Sequence, residues 1–401
     1  MTPEAAAQNP PARPHANHAN QANHANQANQ INRRRLLLSA AGGIGALAVA
    51  GGARWWAGRD AEHGPRLWST TAATGRVLLA DGPRQGLYVS GYDGTLHALD
   101  PRTGAVRWSR VVDSPTPDTD GMGGRPSATG DGAVYTAAST GLRALDAATG
   151  EVRWQVPVPE WAELPVGQEP LAAGGGGVFA VHGGALHAYD PATGTERWST
   201  TSGAGGFLAA DGDAVYTGGA AARAFDARTG EQRWVQETVP GVNSTPVVHR
   251  GAVLLTYPGG TATTTWVCSL EAATGRVRWQ RMQRGASDRP LSAADGTVCF
   301  LSGTQLVGMD TESGEPRWTA TVTLGLGRGQ SSMLAANGTA YVGTNDDRLF
   351  AFDLATGSPR WQDAPDNLRS DTGYTRVSLA AAGSTVYRSS RTGLHALGTL
   401  T

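Results

Sequence analysis

The chain has 401 residues, 33 of them basic and 34 acidic, for a formal net charge of −1. Near-neutrality argues against nucleic acid or an anionic membrane surface as the principal partner. Every basic residue is Arg, which excludes chemistry that needs a lysine amine, and 55 glycines point to a turn-rich fold rather than a helical one.

Residues 1–50 read as a leader that belongs outside fold reasoning. His-Ala-Asn and Gln-Ala-Asn triplets fill residues 15–30 and are too polar to pack, which outweighs a metal role for His15, His18 and His24. Arg33-Arg34-Arg35-Leu36-Leu37 and the apolar run to Ala50 look like a twin-arginine signal, with Ala48-Val49-Ala50 as the cleavage site. The alternative is an uncleaved anchor, yet only 15 residues separate Arg35 from Gly51, against roughly 20 needed to span a bilayer. No Cys lies near the site for lipid attachment. Residues 51–63 read as a linker.

From residue 64 onward one unit recurs. Pro65-Arg-Leu-Trp68 is a lone Trp strand with no strands before it. Seven copies of acidic-x-x-Thr/Ser-Gly-x-x-Arg-Trp follow: Asp100 to Trp108, Asp146 to Trp154, Asp190 to Trp198, Asp226 to Trp234, Glu271 to Trp279, Asp310 to Trp318 and Asp353 to Trp361. Their spacing of 36 to 46 residues is that of a propeller blade. Two short alternating apolar stretches precede each turn, as in Ala133 to Asp146, and a further short strand precedes those, as in Thr245 to His249. Thr375 to Leu397 then supplies three strands with no Trp strand after them. The count predicts an all-β, eight-bladed β-propeller of four-stranded antiparallel blades over residues 64–401. The N-terminal strand would complete the last blade and leave only short, protected edges.

The motif has a physical rationale. An Asp ahead of Thr-Gly can accept backbone N–H groups in a tight turn, and Gly takes a positive φ without steric cost. Trp68, Trp108, Trp154, Trp198, Trp234, Trp279, Trp318 and Trp361 are expected to wedge between blades, each indole N–H finding a backbone acceptor. The Arg before the repeated Trp falls on the other face of its strand and reads as solvated surface.

Ala144 to Trp154 and Ala188 to Trp198 resemble the pyrroloquinoline quinone (PQQ) repeat with its tryptophan-docking motif. That repeat builds eight-bladed quinoprotein alcohol dehydrogenases and an outer-membrane assembly lipoprotein of Gram-negative bacteria, and related propellers form the extracellular sensor part of bacterial protein kinases. Glu271 departs from the Asp of the other copies. The resemblance is specific for fold and weak for chemistry. A quinoprotein of this kind would hold PQQ and Ca²⁺ on the propeller axis and carry adjacent cysteines. This chain has only Cys268 and Cys299, well apart, and none of the family's cofactor ligands can be matched to its residues.

Candidate binding residues lie in the connections after the Trp strands. Ser109 to Gly124 contains Asp113, Asp118 and Asp120, part of a Ca²⁺-loop pattern without its distal Glu, so solvated turn residues are the better reading there and at Asp363 to Asp371. Gln155 to Gln168 carries Trp161 among prolines, a recognition or loop-packing residue. Ser199 to Gly205 is short, and variation on one face of a uniform scaffold is where recognition usually resides. Cys268 and Cys299 sit in apolar strands of neighbouring blades, where a free buried thiol is the default and a bridge the alternative. The expected function is an exported, monomeric, non-catalytic module, outside the cytoplasmic membrane, that binds an envelope protein or a small ligand without cofactor or metal. The alternative is a PQQ-dependent oxidoreductase.

Overall fold

The structure is a computed structural model that describes residues 64–80, 86–114, 127–158, 170–201, 203, 205–261, 263–284, 291–322, 332–364, 377–390 and 392–398. The leader and linker, together with Asp118, Asp120, Trp161 and Asp366, lie outside the described residues.

Thirty-two strands form eight antiparallel four-stranded sheets, and no helix occurs among the described residues. After β1 (Arg66–Thr70), blade 1 comprises β2 (Gly75–Ala80), β3 (Gly86–Gly91), β4 (Thr95–Leu99) and β5 (Val106–Val111). Blade 2 comprises β6 (Ser127–Gly130), β7 (Ala133–Ala138), β8 (Gly141–Asp146) and β9 (Val152–Val156). Blade 3 comprises β10 (Leu171–Gly174), β11 (Gly177–His182), β12 (Ala185–Tyr189) and β13 (Glu196–Thr200). Blade 4 comprises β14 (Leu208–Asp211), β15 (Ala214–Thr217), β16 (Ala222–Asp226) and β17 (Gln232–Gln236). Blade 5 comprises β18 (Val247–His249), β19 (Ala252–Pro258), β20 (Thr264–Glu271) and β21 (Val277–Arg284). Blade 6 comprises β22 (Ser292–Ala294), β23 (Thr297–Ser302), β24 (Gln305–Asp310) and β25 (Pro316–Thr321). Blade 7 comprises β26 (Ser332–Ala336), β27 (Thr339–Gly343), β28 (Leu349–Asp353) and β29 (Pro359–Asp363). Blade 8 joins β30 (Ser378–Ala382), β31 (Thr385–Ser389) and β32 (Leu394–Gly398) to β1, with Trp68 opposite Ala396.

The first strands of successive blades touch one another around the ring, and β30 touches β2 to close it. Side-chain caps reinforce that closure, with the Val77 and Gly75 amides donating to Ser378 Oγ and Ser389 Oγ, both at 3.1 Å. The core is a series of apolar clusters between neighbouring sheets. One packs Leu142, Trp154, Val178 and Tyr189 across blades 2 and 3, and another packs Tyr387 and Leu394 against Val77 and Val89 across the closure.

Each repeat turn holds its chain by its carboxylate. Asp146 Oδ1 accepts the Ala148 and Thr149 amides at 2.9 Å, and Asp190, Asp226, Asp310 and Asp353 do the same for theirs. The Arg before the Trp is not merely solvated surface. Arg153 donates to Asp146 Oδ2 at 2.8 Å, and Arg107, Arg197, Arg233, Arg317 and Arg360 pair with the acid seven residues back. Glu271 departs in structure as in sequence. Its longer side chain takes the Thr274 hydroxyl at 2.7 Å and Arg276 at 3.3 Å, while Arg278 turns to the Gly251 carbonyl.

Seven of the repeat tryptophans share one geometry. Indole N–H groups of Trp68, Trp108, Trp154, Trp198, Trp234, Trp279 and Trp318 donate to a carbonyl in the turn of the next blade at 2.9–3.2 Å. Each ring also lies on the turn glycine of that blade. A Cβ on Gly194, whose φ is +72°, would stand 2.7 Å from Trp154 Cδ2. Trp361 faces the split blade, where Gly64 takes the place of the turn glycine and a Cβ would stand 2.6 Å from the indole. Gly64 precedes Trp68 by the same four residues that separate glycine and Trp in every other copy.

Candidate binding face

Outer strands exit the blades at the end where the second and third strands turn. Asp113, just after β5, accepts the Ser139 amide at 2.7 Å and its hydroxyl at 2.6 Å, Ser139 lying in the β7–β8 turn. Arg143 of β8 donates to the Val112 carbonyl at 2.5 Å. Asp113 therefore anchors the root of the connection to blade 2. The connections differ in length: Val111 to Ser127, Val156 to Leu171 and Thr200 to Leu208 bound the first three.

A buried charge cluster marks the same end between blades 7 and 8. Arg388, at the end of β31, is fully buried, and so is Asp363, the last residue of β29. Their charges meet at 3.0 Å, Arg388 also donates to the Asp347 carbonyl at 2.9 Å, and Asp347 Oδ1 lies 3.8 Å from Arg388 Nε. Arg66 of β1 reaches Asp363 Oδ1 at 2.9 Å and the Ala364 carbonyl at 2.6 Å. Ser390 and Thr392 hydroxyls donate to Asp347 Oδ2 at 2.8 and 2.5 Å. Two cations and two carboxylates thus compensate one another, as buried charges must. Among the described residues, Arg388 Nε and Nη2 have no hydrogen-bond acceptor. His395, opposite Arg388 on β32, is held down to about 4 by burial, with the Arg388 and Arg66 charges adding to the effect.

This cluster corrects the reading of Asp363 as a solvated turn residue; residues 365–371 of that segment lie outside the described residues. Asp363 is at 0 % exposure because Arg66 and Arg388 neutralise it from two directions. Sequence reasoning missed Arg388 altogether, since Arg388-Ser-Ser reads as an exposed polar end.

The two cysteines are free and buried in different inter-blade clusters, their thiols pushed up to about 12 by burial. Among the described residues no three His, Cys, Asp or Glu groups converge as a metal site would require.

The family described as outer membrane protein assembly factor BamB matches residues 40–204, 182–323 and 263–401. The chain belongs to this family. BamB from Moraxella catarrhalis superposes with a TM-score of 0.59 at 19% identity, covering 83% of this chain and 98% of that one. Quinohemoprotein alcohol dehydrogenase from Comamonas testosteroni gives a TM-score of 0.57 at 16% identity, over 83% of this chain and 76% of that one. At such identities both likenesses show a PQQ-like propeller and nothing finer. The serine/threonine-protein kinase AfsK of Streptomyces griseus is 36% identical over 115 residues, which is 27% of this chain but only 13% of the kinase.

Proposed function

We propose that this BamB-family propeller is an exported, non-catalytic scaffold that binds a protein of the cell envelope through the end where its outer strands exit. The observation that carries this is the inequality of the connections there, set on eight sheets of one four-stranded topology. A uniform scaffold with one varied face is a usual architecture for recognition. The repeat tryptophans serve as docking wedges that keep the scaffold rigid beneath that face, and membership of an assembly-factor family supports a protein partner. The arginine pair and apolar run of the leader support export, leaving the protein outside the cytoplasmic membrane.

The kinase match favours a second reading, in which the same face senses a small ligand. Site-specific photo-cross-linking from the Val111–Ser127 connection in intact cells, against an Arg33→Lys/Arg34→Lys chain, tests the proposal. Discrete cross-linked envelope proteins, lost when the double substitution retains the chain in the cytoplasm, are expected. Unchanged fractionation of the double variant would overturn export, and no cross-link in the exported protein would overturn the scaffold role. A quinone absorption band and dye-linked alcohol oxidation after addition of PQQ and Ca²⁺ would replace both readings with a redox enzyme.

A further inference from the structure

Blade 5 departs from the repeat. Its second, third and fourth strands have 7, 8 and 8 residues, whereas the outer strands of the other blades have 5 or 6. Two to three extra residues carry this sheet roughly 7–10 Å further at the strand-exit end. On the extension Tyr257 pairs with Trp266 and Trp266 with Met282, and the two rings stack at 6.1 Å and 11°. Met282 is 52% exposed.

β21 is the outermost strand of its sheet, so its outer backbone edge pairs with no strand among the described residues. It reads Val-Arg-Trp-Gln-Arg-Met-Gln-Arg, with three cations and no acid. Alternation puts Arg278, Gln280, Met282 and Arg284 on one face. Arg278 is held by the Gly251 carbonyl and, on the opposite face, Arg281 by Glu315 at 2.7 Å, while Arg284 is exposed at the tip.

We infer that the outer edge of β21 accepts an extended acidic segment of a partner protein as a fifth strand of blade 5. Main-chain pairing to an open edge supplies affinity and alternate side chains supply specificity. An apolar residue would lie beside Met282 and carboxylates beside Arg284 and Arg278. Charge also selects against a second copy of this chain, because two such edges would bring arginines together. The inference rests on the scaffold reading and names one docking element for it.

The probe is an eight-residue peptide of alternating Glu and Val, added to the full chain and followed by hydrogen exchange and fluorescence anisotropy. Protection of β21 amides is expected, with affinity falling about tenfold or more in Arg284→Glu/Met282→Glu and weakening in salt. A matched peptide with Pro at alternate positions, which cannot pair, should not bind. Absent protection, equal affinity for the double variant, equal binding of the Pro peptide, or β21 protection by self-association without peptide would each overturn it. If the double variant keeps its envelope cross-links while losing nothing to the peptide, the scaffold stands and this edge is not its dock.

Discussion

At the residue scale the turn glycine does two jobs that can be separated by substitution. Gly194 has a φ of +72° and Trp154 on top of it, while Gly176 has the same φ of +72° and nothing within 4 Å of a Cβ. A left-handed conformation costs a non-glycine residue about 1–2 kcal/mol, and forced overlap in a packed site adds about 1–3 kcal/mol. Gly176→Ala is therefore expected to show the first cost alone and Gly194→Ala both, measured as urea-unfolding free energies. Equal losses would mean that the indole yields without cost. Glu271 makes the converse point: one added methylene moves the carboxylate past the turn amides, so a chemically conservative change rewires hydrogen bonds.

At the scale of elements, the seam between blades 7 and 8 carries buried charges that, among the described residues, the other seams lack. Asp363→Asn leaves Arg388 buried without its nearest counter-charge, so a loss of about 3–5 kcal/mol is expected. A shift of the denaturation midpoint no larger than that of a surface Asp→Asn control would show that the cluster is better solvated than its burial says. How much was legible follows the same division. Repetition made the blades readable, because a pattern written seven times separates signal from noise, and counting end strands placed β1 beside β32. Gly64 was also within reach through its four-residue spacing to Trp68. The Arg–Asp pairs escaped because strand alternation tells which face a side chain takes but not that a turn folds its partner beneath it. Arg388 escaped for a different reason: its burial comes from Asp363, Asp347 and Arg66, residues distant in sequence. The loop residues Asp118, Asp120 and Trp161 lie outside the described part of the structure.

For the whole molecule, acid should act in two steps. His395 is lowered from 6.5 to about 4, and burial also lowers His97 and His249. Their native forms bind protons less readily than the unfolded chain, so stability is full above pH 6.5 and falls as pH drops towards about 4. The turn carboxylates have depressed values, with Asp146, Asp190 and Asp310 near 2, held there by Arg pairing and turn N–H groups. Their contribution is present above about pH 4 and is lost as pH falls through about 2. Urea midpoints measured from pH 8 to 2 should show both arms, and His395→Gln should flatten the upper arm only. A single transition unaltered by that substitution would contradict the assignment. The ring itself imposes an order on folding. Because β1 completes a sheet whose other strands end at Gly398, the first strand of the propeller to leave the ribosome has no partner until β32 has followed. Seven blades can form before the eighth closes, and an apolar sheet edge stays open to chaperones for that whole interval.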